Sequence, residues 1–205
     1  MSLVLWSGGC DSTLLLHQVA SEKATRDDPV RALSIVHDQV PANKEQAQAR
    51  KNILKEFKRR GLHVVHSTVR VKTTGLFSVK GGGNTQAVLW LGLAVPYLFK
   101  DEDLYAGYIR GDDYWHYEGW LQEAFKNLKH AKYLKGRLRT PLEWLTKGEV
   151  IKELKQKKLL RLTWYCENPK KNGKPCGKCH SCKVHRTGVW QLKQGMFDRK
   201  VLSSG

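Results

Sequence analysis

The 205-residue chain carries 36 lysines and arginines against 19 acidic residues, a formal net charge of +17. Hydrophobic residues make up 40% and form no membrane-length run, which excludes a spanning helix. Met1 leads straight into a strand-like segment, without the basic region, apolar stretch and cleavage site of a secretory signal, so a cytoplasmic protein is expected. So large a positive charge suggests polyanionic partners, nucleic acid or phosphorylated small molecules; a merely solvated basic surface is the plainer alternative.

Leu3 to Trp6 reads as a buried strand, followed by a helix from Ser12 to Ala20 carrying Leu14, Leu15 and Leu16. Arg31 to Val36 is a second strand. Asn43 to Arg60 is a long helix whose apolar face is Ala49, Ile53 and Phe57, with Lys51, Lys55, Lys58 and Arg59 on the rest. Gly61 ends it, and Leu62 to Ser67 alternates as a third strand. After the hinge-like Gly81-Gly82-Gly83, a helix from Asn84 to about Leu98 is apolar through Val88, Leu91 and Val95. Leu104 to Tyr108 is a fourth strand. Tyr114-Trp115-His116-Tyr117 leads into a helix through Leu121, Phe125 and Leu128. Thr140-Pro141-Leu142 is read as a short extended piece. Thr146 and Glu149 form a capping box opening a further helix. The tail after Gly195 is expected to be poorly ordered.

Strands alternating with helices predict a doubly wound, mostly parallel α/β sheet forming one domain over residues 1–205, with a cysteine-bearing subregion at 166–186. Such sheets bind ligands at the carboxyl ends of their strands. The loop at residues 7–12, the loop after Val36, the triple glycine and the Gly107–Asp113 loop would meet on that edge.

The first of these loops, Ser7-Gly8-Gly9-Cys10-Asp11-Ser12, carries the chemistry of a phosphate site. Its glycines let the backbone approach a ligand, and its serines and the N–H groups of the coming helix can hold phosphate oxygens. It lacks the Gly-Lys-Ser/Thr ending of a Walker A motif and is not a dinucleotide fingerprint. It resembles the pyrophosphate loop (PP-loop) of the N-type ATP pyrophosphatases, which split ATP between the α and β phosphates. The resemblance implies an adenine nucleotide alpha hydrolase-like fold. The Gly8 and Gly9 N–H groups, with Ser7 and Ser12, would stabilise the leaving pyrophosphate, and Asp11 would hold Mg²⁺. Cys10 beside this loop reads as a small buried side chain rather than a nucleophile, although a helix N-terminus can activate a thiol.

Four of the five cysteines, Cys166, Cys176, Cys179 and Cys182, are spaced Cys-x₉-Cys-x₂-Cys-x₂-Cys. This suits a structural zinc knuckle, with an iron–sulfur cluster as the competing reading and disulfides a weaker one. His180 and His185 are alternative ligands, read as lying behind the thiolates or facing solvent. Lys170 to Arg186 holds six Lys/Arg side chains and no acidic ones. They would bind a polyanion or offset the charge of a tetrathiolate.

The two ends together resemble the 7-cyano-7-deazaguanine synthase family (QueC-like), joined by Gly107 to Asp112 and by Thr140-Pro141-Leu142 followed by Lys147 and Glu149. The resemblance implies an ATP-dependent C–N ligase that adenylates the carboxylate of 7-carboxy-7-deazaguanine, takes up ammonia to give the amide, and dehydrates it to the nitrile with a second ATP. It implies structural Zn²⁺, Mg²⁺ with ATP, a homodimer and no membrane partner. Carried onto this chain, ATP would be held by Ser7, Gly8, Gly9, Asp11, Ser12, Val36 and Gly107. Catalysis would rest on Asp11, Ser12 and Lys147, and the substrate on Asn84, Arg110 and Asp112.

The middle of the chain departs from the family habit. Gly81-Gly82-Gly83-Asn84 stands for Pro-Gly-Arg-Asn, Arg110 for an acidic residue, and His37-Asp38-Gln39-Val40 for Asp-Tyr-Gly-Gln. The later Tyr-Pro-Asp-x-Arg run has become His116-Tyr117-Glu118-Gly119-Trp120. Trp115 and Trp120 would stack on a base or, as aromatics of an amphipathic helix, join the core; His116 reads as a surface histidine or an acid–base group. Exchanging the few groups that read a purine-like edge changes specificity by kilocalories. Two further functions therefore stay open. One is transfer of the activated carboxylate to an amine on a protein or nucleic acid; the other is a non-catalytic, zinc-containing nucleic-acid-binding module. A tRNA-modifying thiolase is less favoured because no free cysteine pair remains.

Overall fold

The computed structural model describes residues 1–38, 40–72, 85–112 and 118–195. Its centre is a five-stranded parallel sheet, with β1 Ser2–Leu5 in the middle and β2 Val30–His37 and β4 Asp103–Tyr105 on either side. β3 Val64–Val71 and β5 Leu138–Arg139 form the edges, giving the order β3-β2-β1-β4-β5. The register places Leu3 opposite Arg31 on one side and Leu104 on the other. β1 can be an almost unbroken apolar run because helices cover both faces of the sheet.

Three helices, α1 Cys10–Lys23, α2 Asn43–Arg59 and α5 Lys147–Gln156, share one core with Val4, Trp6, Leu15, Ile53, Phe57 and Leu154. On the opposite face α3 Thr85–Ala94 and α4 Glu118–His130 pack Leu91, Leu121 and Phe125 against Leu3, Leu33 and Leu104. Ala49, Ile53 and Phe57 are buried as their four-residue spacing requires, Phe57 completely; burying such a ring contributes about 1.5–3 kcal/mol. Gly61 closes α2 at φ +73°. The last helix, α6 His180–Gln194, packs against α5 and ends at Gly195 in the left-handed conformation.

Several boundaries differ from the sequence expectation. α1 starts two residues early, because Gly9 is its N-cap and its carbonyl accepts the first helical bond from the Thr13 N–H at 3.1 Å. β3 runs past Ser67 to Val71 because it pairs with β2 along its whole length. α3 gives way after Ala94 to a 3₁₀ turn, Val95–Tyr97, where Pro96 cannot donate to a helix. Thr140-Pro141-Leu142 is a turn, not an extended piece. The Glu143 N–H bonds the Thr140 carbonyl at 3.0 Å, the Thr140 hydroxyl bonds Glu143 at 2.6 Å, and the fifth strand is the preceding Leu138–Arg139. Trp120 is 53% exposed rather than part of the core. Gln39, Gly81-Gly82-Gly83, Asn84, Asp113, the Tyr114–Tyr117 aromatics and the tail after Gly195 lie outside the described residues. None of the described helices is long and apolar enough to cross a membrane.

The strand order reverses between β1 and β4. In an open parallel sheet this leaves a crevice at the carboxyl end of β1, where the Ser7–Ser12 loop begins.

Candidate active site

The loop after β1 is braced by hydrogen bonds to its neighbours and within itself. Trp6, 1% exposed, donates its indole N–H to Thr13 in α1 at 3.1 Å. The Ser7 hydroxyl lies 3.0 Å from that of Ser12 and accepts from the Gly9 N–H at 3.2 Å. Gly8 has φ +88°, a conformation that side chains resist. Its carbonyl accepts the Trp164 N–H at 3.0 Å, tying the loop to the segment that leads into the cysteines. Gly107 lies so close under α1 that a Cβ would sit 3.1 Å from the backbone of Ser12.

Lys147 is the first residue of α5, directly after the Thr146 cap, and the capping box with Glu149 fixes where that helix starts. From there its ammonium reaches both oxygens of Asp11, at 2.6 and 2.8 Å. Burial opposes the Lys147 charge, but Asp11, Cys10 and Asp112 outweigh it and raise its pKa above that of an ordinary lysine. Gly188 of α6 makes this approach possible, since a Cβ there would stand 2.7 Å from the Lys147 Cγ.

Ser7, Gly9, Asp11, Lys147 and Asp112 line one wall of a cavity of about 530 Å³. Another comes from Ile35 and His37 of β2 and Val40 and Pro41 after it, together with Gln46 and Trp90. A third is formed by Trp164, Tyr165, Glu167, Asn168, His180, Ser181 and Val184 around the cysteines. A second cavity of about 200 Å³ shares Ser7, Ile35 and Trp90 with the first and is otherwise lined by Ser12, Gly107, Tyr108 and apolar strand residues. Val36 itself is buried, and its neighbours Ile35 and His37 face the large cavity. Asp112 is held by the Ile109 N–H at 3.1 Å. Arg110 is exposed and lines neither cavity, whereas Asn84 is not among the described residues.

Arg50 in α2 escaped the sequence reading. It is 5% exposed and donates to the Ser7 carbonyl at 2.9 Å behind the loop, and burial lowers its pKa, with Arg70 adding to the effect. The cavity residues Trp90, Trp164, Tyr165, Glu167 and Asn168 were missed as well; the only signal was that four of them flank Cys166. Cys10 is 2% exposed and 3.3 Å from the Thr163 hydroxyl, and burial pushes its thiol pKa up, which disfavours a nucleophile.

The sulfurs of Cys166, Cys176, Cys179 and Cys182 all lie within 4.8 Å of one another, two pairs at 3.9 and 4.0 Å. Tetrahedral zinc with Zn–S bonds of about 2.3 Å places its sulfurs about 3.8 Å apart, so the four thiols fit one ion. N–H groups of Lys178 and Cys179 point at the Cys176 sulfur, both at 3.3 Å, and hold that thiol's pKa down to about 6. His185 stacks on Tyr165 with ring centroids 3.7 Å apart, and His180 is exposed; neither belongs to the sulfur group.

A braced Ser-Gly-Gly-x-Asp-Ser loop at the switch point of a parallel sheet defines the PP-loop class. The described fold is similar to that of the U34-tRNA thiolase NcsA from Methanococcus maripaludis, solved with its [4Fe-4S] cluster. The TM-score is 0.56 over all of this chain and 75% of that one, at 14% identity. The family model described as queuosine biosynthesis protein QueC matches residues 104–193. The 7-cyano-7-deazaguanine synthase of Leptospira interrogans is 27% identical over 91% of this chain and 85% of its own length. That of Prochlorococcus marinus is 31% identical over 57% of this chain and 55% of its own. The chain is thus similar to the QueC family over residues 104–193 and, along most of its length, to a 7-cyano-7-deazaguanine synthase.

Proposed function

We propose that the protein adenylates the carboxylate of 7-carboxy-7-deazaguanine and converts it with ammonia to the amide and then the nitrile. The observation that carries this reading is the Asp11–Lys147 pair facing the large cavity beside the N–H groups of the Ser7–Gly9 loop. In the first step a carboxylate oxygen bonds the α-phosphorus of ATP and the bond to the β-phosphate breaks. Negative charge then grows on the departing pyrophosphate, where the Gly8 and Gly9 N–H groups, Ser7 and Ser12 would meet it. Ammonia next bonds the acyl carbon, AMP leaves and the nitrogen loses a proton. Repeating the activation on the amide oxygen, with the nitrogen giving up its two protons to solvent as the C–O bond breaks, releases that oxygen on a second AMP and leaves the nitrile.

Asp11 and Asp112, which face the same cavity, suit the hard oxygen coordination of Mg²⁺. When bound, Mg²⁺ would neutralise charge on the phosphates. Lys147 keeps Asp11 oriented and adds a fixed positive charge next to the loop. For the knuckle we propose structural Zn²⁺. In a four-iron cluster each iron takes one thiolate, which spreads the sulfurs wider than a single ion does, and the close grouping here favours the single ion.

A second reading, transfer of the activated carboxylate to an amine on a macromolecule, is favoured by the exposed Glu167, Asn168 and His180 at the cavity's margin, which leave room for a large acceptor. One incubation separates the two. With ATP, Mg²⁺, the carboxylate and ammonia, AMP and pyrophosphate should appear together with amide and nitrile by mass spectrometry. AMP without either base product, with a mass increment on added protein or RNA, would select the second reading. Absence of AMP would remove both.

A further inference from the structure

We propose that the cysteine knuckle and α6 form a binding surface for single-stranded nucleic acid, with phosphates on a basic collar and a base stacked on Trp190. The collar is Lys170, Lys171, Lys174, Lys178, Lys183 and Arg186, all exposed. None of the six enters an ion pair of the described residues. The one carboxylate nearby in sequence, Glu167, accepts the Ser181 hydroxyl at 2.6 Å.

Charge compensation of the thiolates does not account for these cations. The sulfurs are served by the main chain: the N–H groups of Cys176, Lys178 and Cys179 point at them from 3.2 to 3.3 Å. A divalent ion with four thiolates carries two formal negative charges, against the six cations from Lys170 to Arg186. Most of the collar is therefore surplus to the metal site, and surplus positive charge gathered in one short, exposed stretch of chain is the electrostatic footprint of a phosphate backbone.

The second observation is aromatic. Lys183, Arg186 and Trp190 are spaced three and four apart and share one face of α6. Trp190 is 52% exposed. A large aromatic left in water beside two cations is what an unpaired base needs for stacking, and a duplex, whose bases are already stacked, cannot use it. The inference does not depend on which carboxylate the cavity activates.

The test is fluorescence anisotropy on the full-length, metal-loaded protein with labelled single-stranded RNA, single-stranded DNA and a duplex of each, across a salt series. The expected result is binding to one or both single strands, more tightly than to duplex. Replacing Lys170, Lys171, Lys174 and Lys178 with Gln, with metal content checked, should weaken it more than tenfold. The same change should flatten the log K against log salt slope by about three units. Trp190→Ala, a surface change, should weaken single-strand binding about five- to tenfold and leave duplex binding unchanged. A control with Lys44, Lys51, Lys55 and Lys58 of α2 changed to Gln removes the same charge elsewhere. If that control loses as much as the collar variant, if Trp190→Ala changes nothing, or if no strand binds at about 0.1 M salt, the proposal is wrong.

Discussion

The two ends of the chain build two walls of one cavity by opposite means. The Ser7–Ser12 loop is held by contacts within the chain: Trp6 on Thr13, Ser7 on Ser12, Arg50 on the Ser7 carbonyl. Its geometry needs no ion. The knuckle wall joins the first turns of α6 to a stretch of short turns, and its Cys166 and Cys176 lie ten residues apart with no sheet or helix between them. What gathers it is four sulfurs around one point. Damage to the first wall should therefore cost chemistry with little loss of structure, whereas damage to the second should cost structure and, through it, chemistry.

The largest effect tests the second half of that contrast. Cys179→Ala, or a strong chelator on the native protein, should release the metal and lower the melting temperature by more than about 10 °C, because structural zinc binding is itself folding free energy. ATP turnover should disappear with it, since Trp164 and Tyr165 would no longer be held against the loop. Metal analysis and calorimetry on the same samples check this; a metal-free protein with unchanged melting and turnover would break the comparison. Next comes Asp11→Asn, which keeps the shape but not the charge. AMP formation should fall about 10²–10³-fold, the size expected when one group stabilising developing charge is lost. Circular dichroism and the metal content should not change.

The sequence made the first wall legible and the second only in part. Six specified positions between a strand and a helix announce a tight strand-to-helix loop with exposed N–H groups, because only certain residues permit that backbone. The cysteine spacing announced a metal for a similar reason. It did not announce that Glu167, Asn168 and Ser181 would face the same cavity as Gly9, because that depends on where α6 packs. Packing is set by features with no local pattern, such as Gly148 and Gly188 letting α5 and α6 touch. Arg50 was hidden differently: on α2 it sits among lysines and reads as part of the solvated face, yet it is the one cation of that helix turned inward. Thr140 to Leu142 reads as extended chain, whereas the hydroxyl of Thr140 closes a turn on Glu143.

The helix contact gives a sharper test, since it changes the knuckle side and reads out on the loop side. In Gly188→Ala the new Cβ would meet the Lys147 Cγ at 2.7 Å and the Ile151 Cδ1 at 2.8 Å. α5 must move away, carrying Lys147 off Asp11. A stability loss of about 1–3 kcal/mol is expected from overpacking. The kcat/KM for ATP should fall about tenfold, with the metal retained, as a small displacement of a charged group warrants. Retained kinetics would mean that the Lys147–Asp11 pair has no part in turnover.

The smallest effect is expected at the position most open to misreading. Cys10 sits at the head of α1 beside the loop, where a helix N-terminus would favour a thiolate. Burial works against it and prevails, and Thr163 fills the space next to the sulfur. Cys10→Ala should thus cost about 1 kcal/mol of stability and leave AMP release within about twofold of the parent. In the native protein the thiol should resist alkylation by iodoacetamide at neutral pH. A variant that folds, keeps its metal and makes no AMP would show instead that the sulfur takes part in the reaction, and the loop's chemistry would then have to include a covalent step through Cys10.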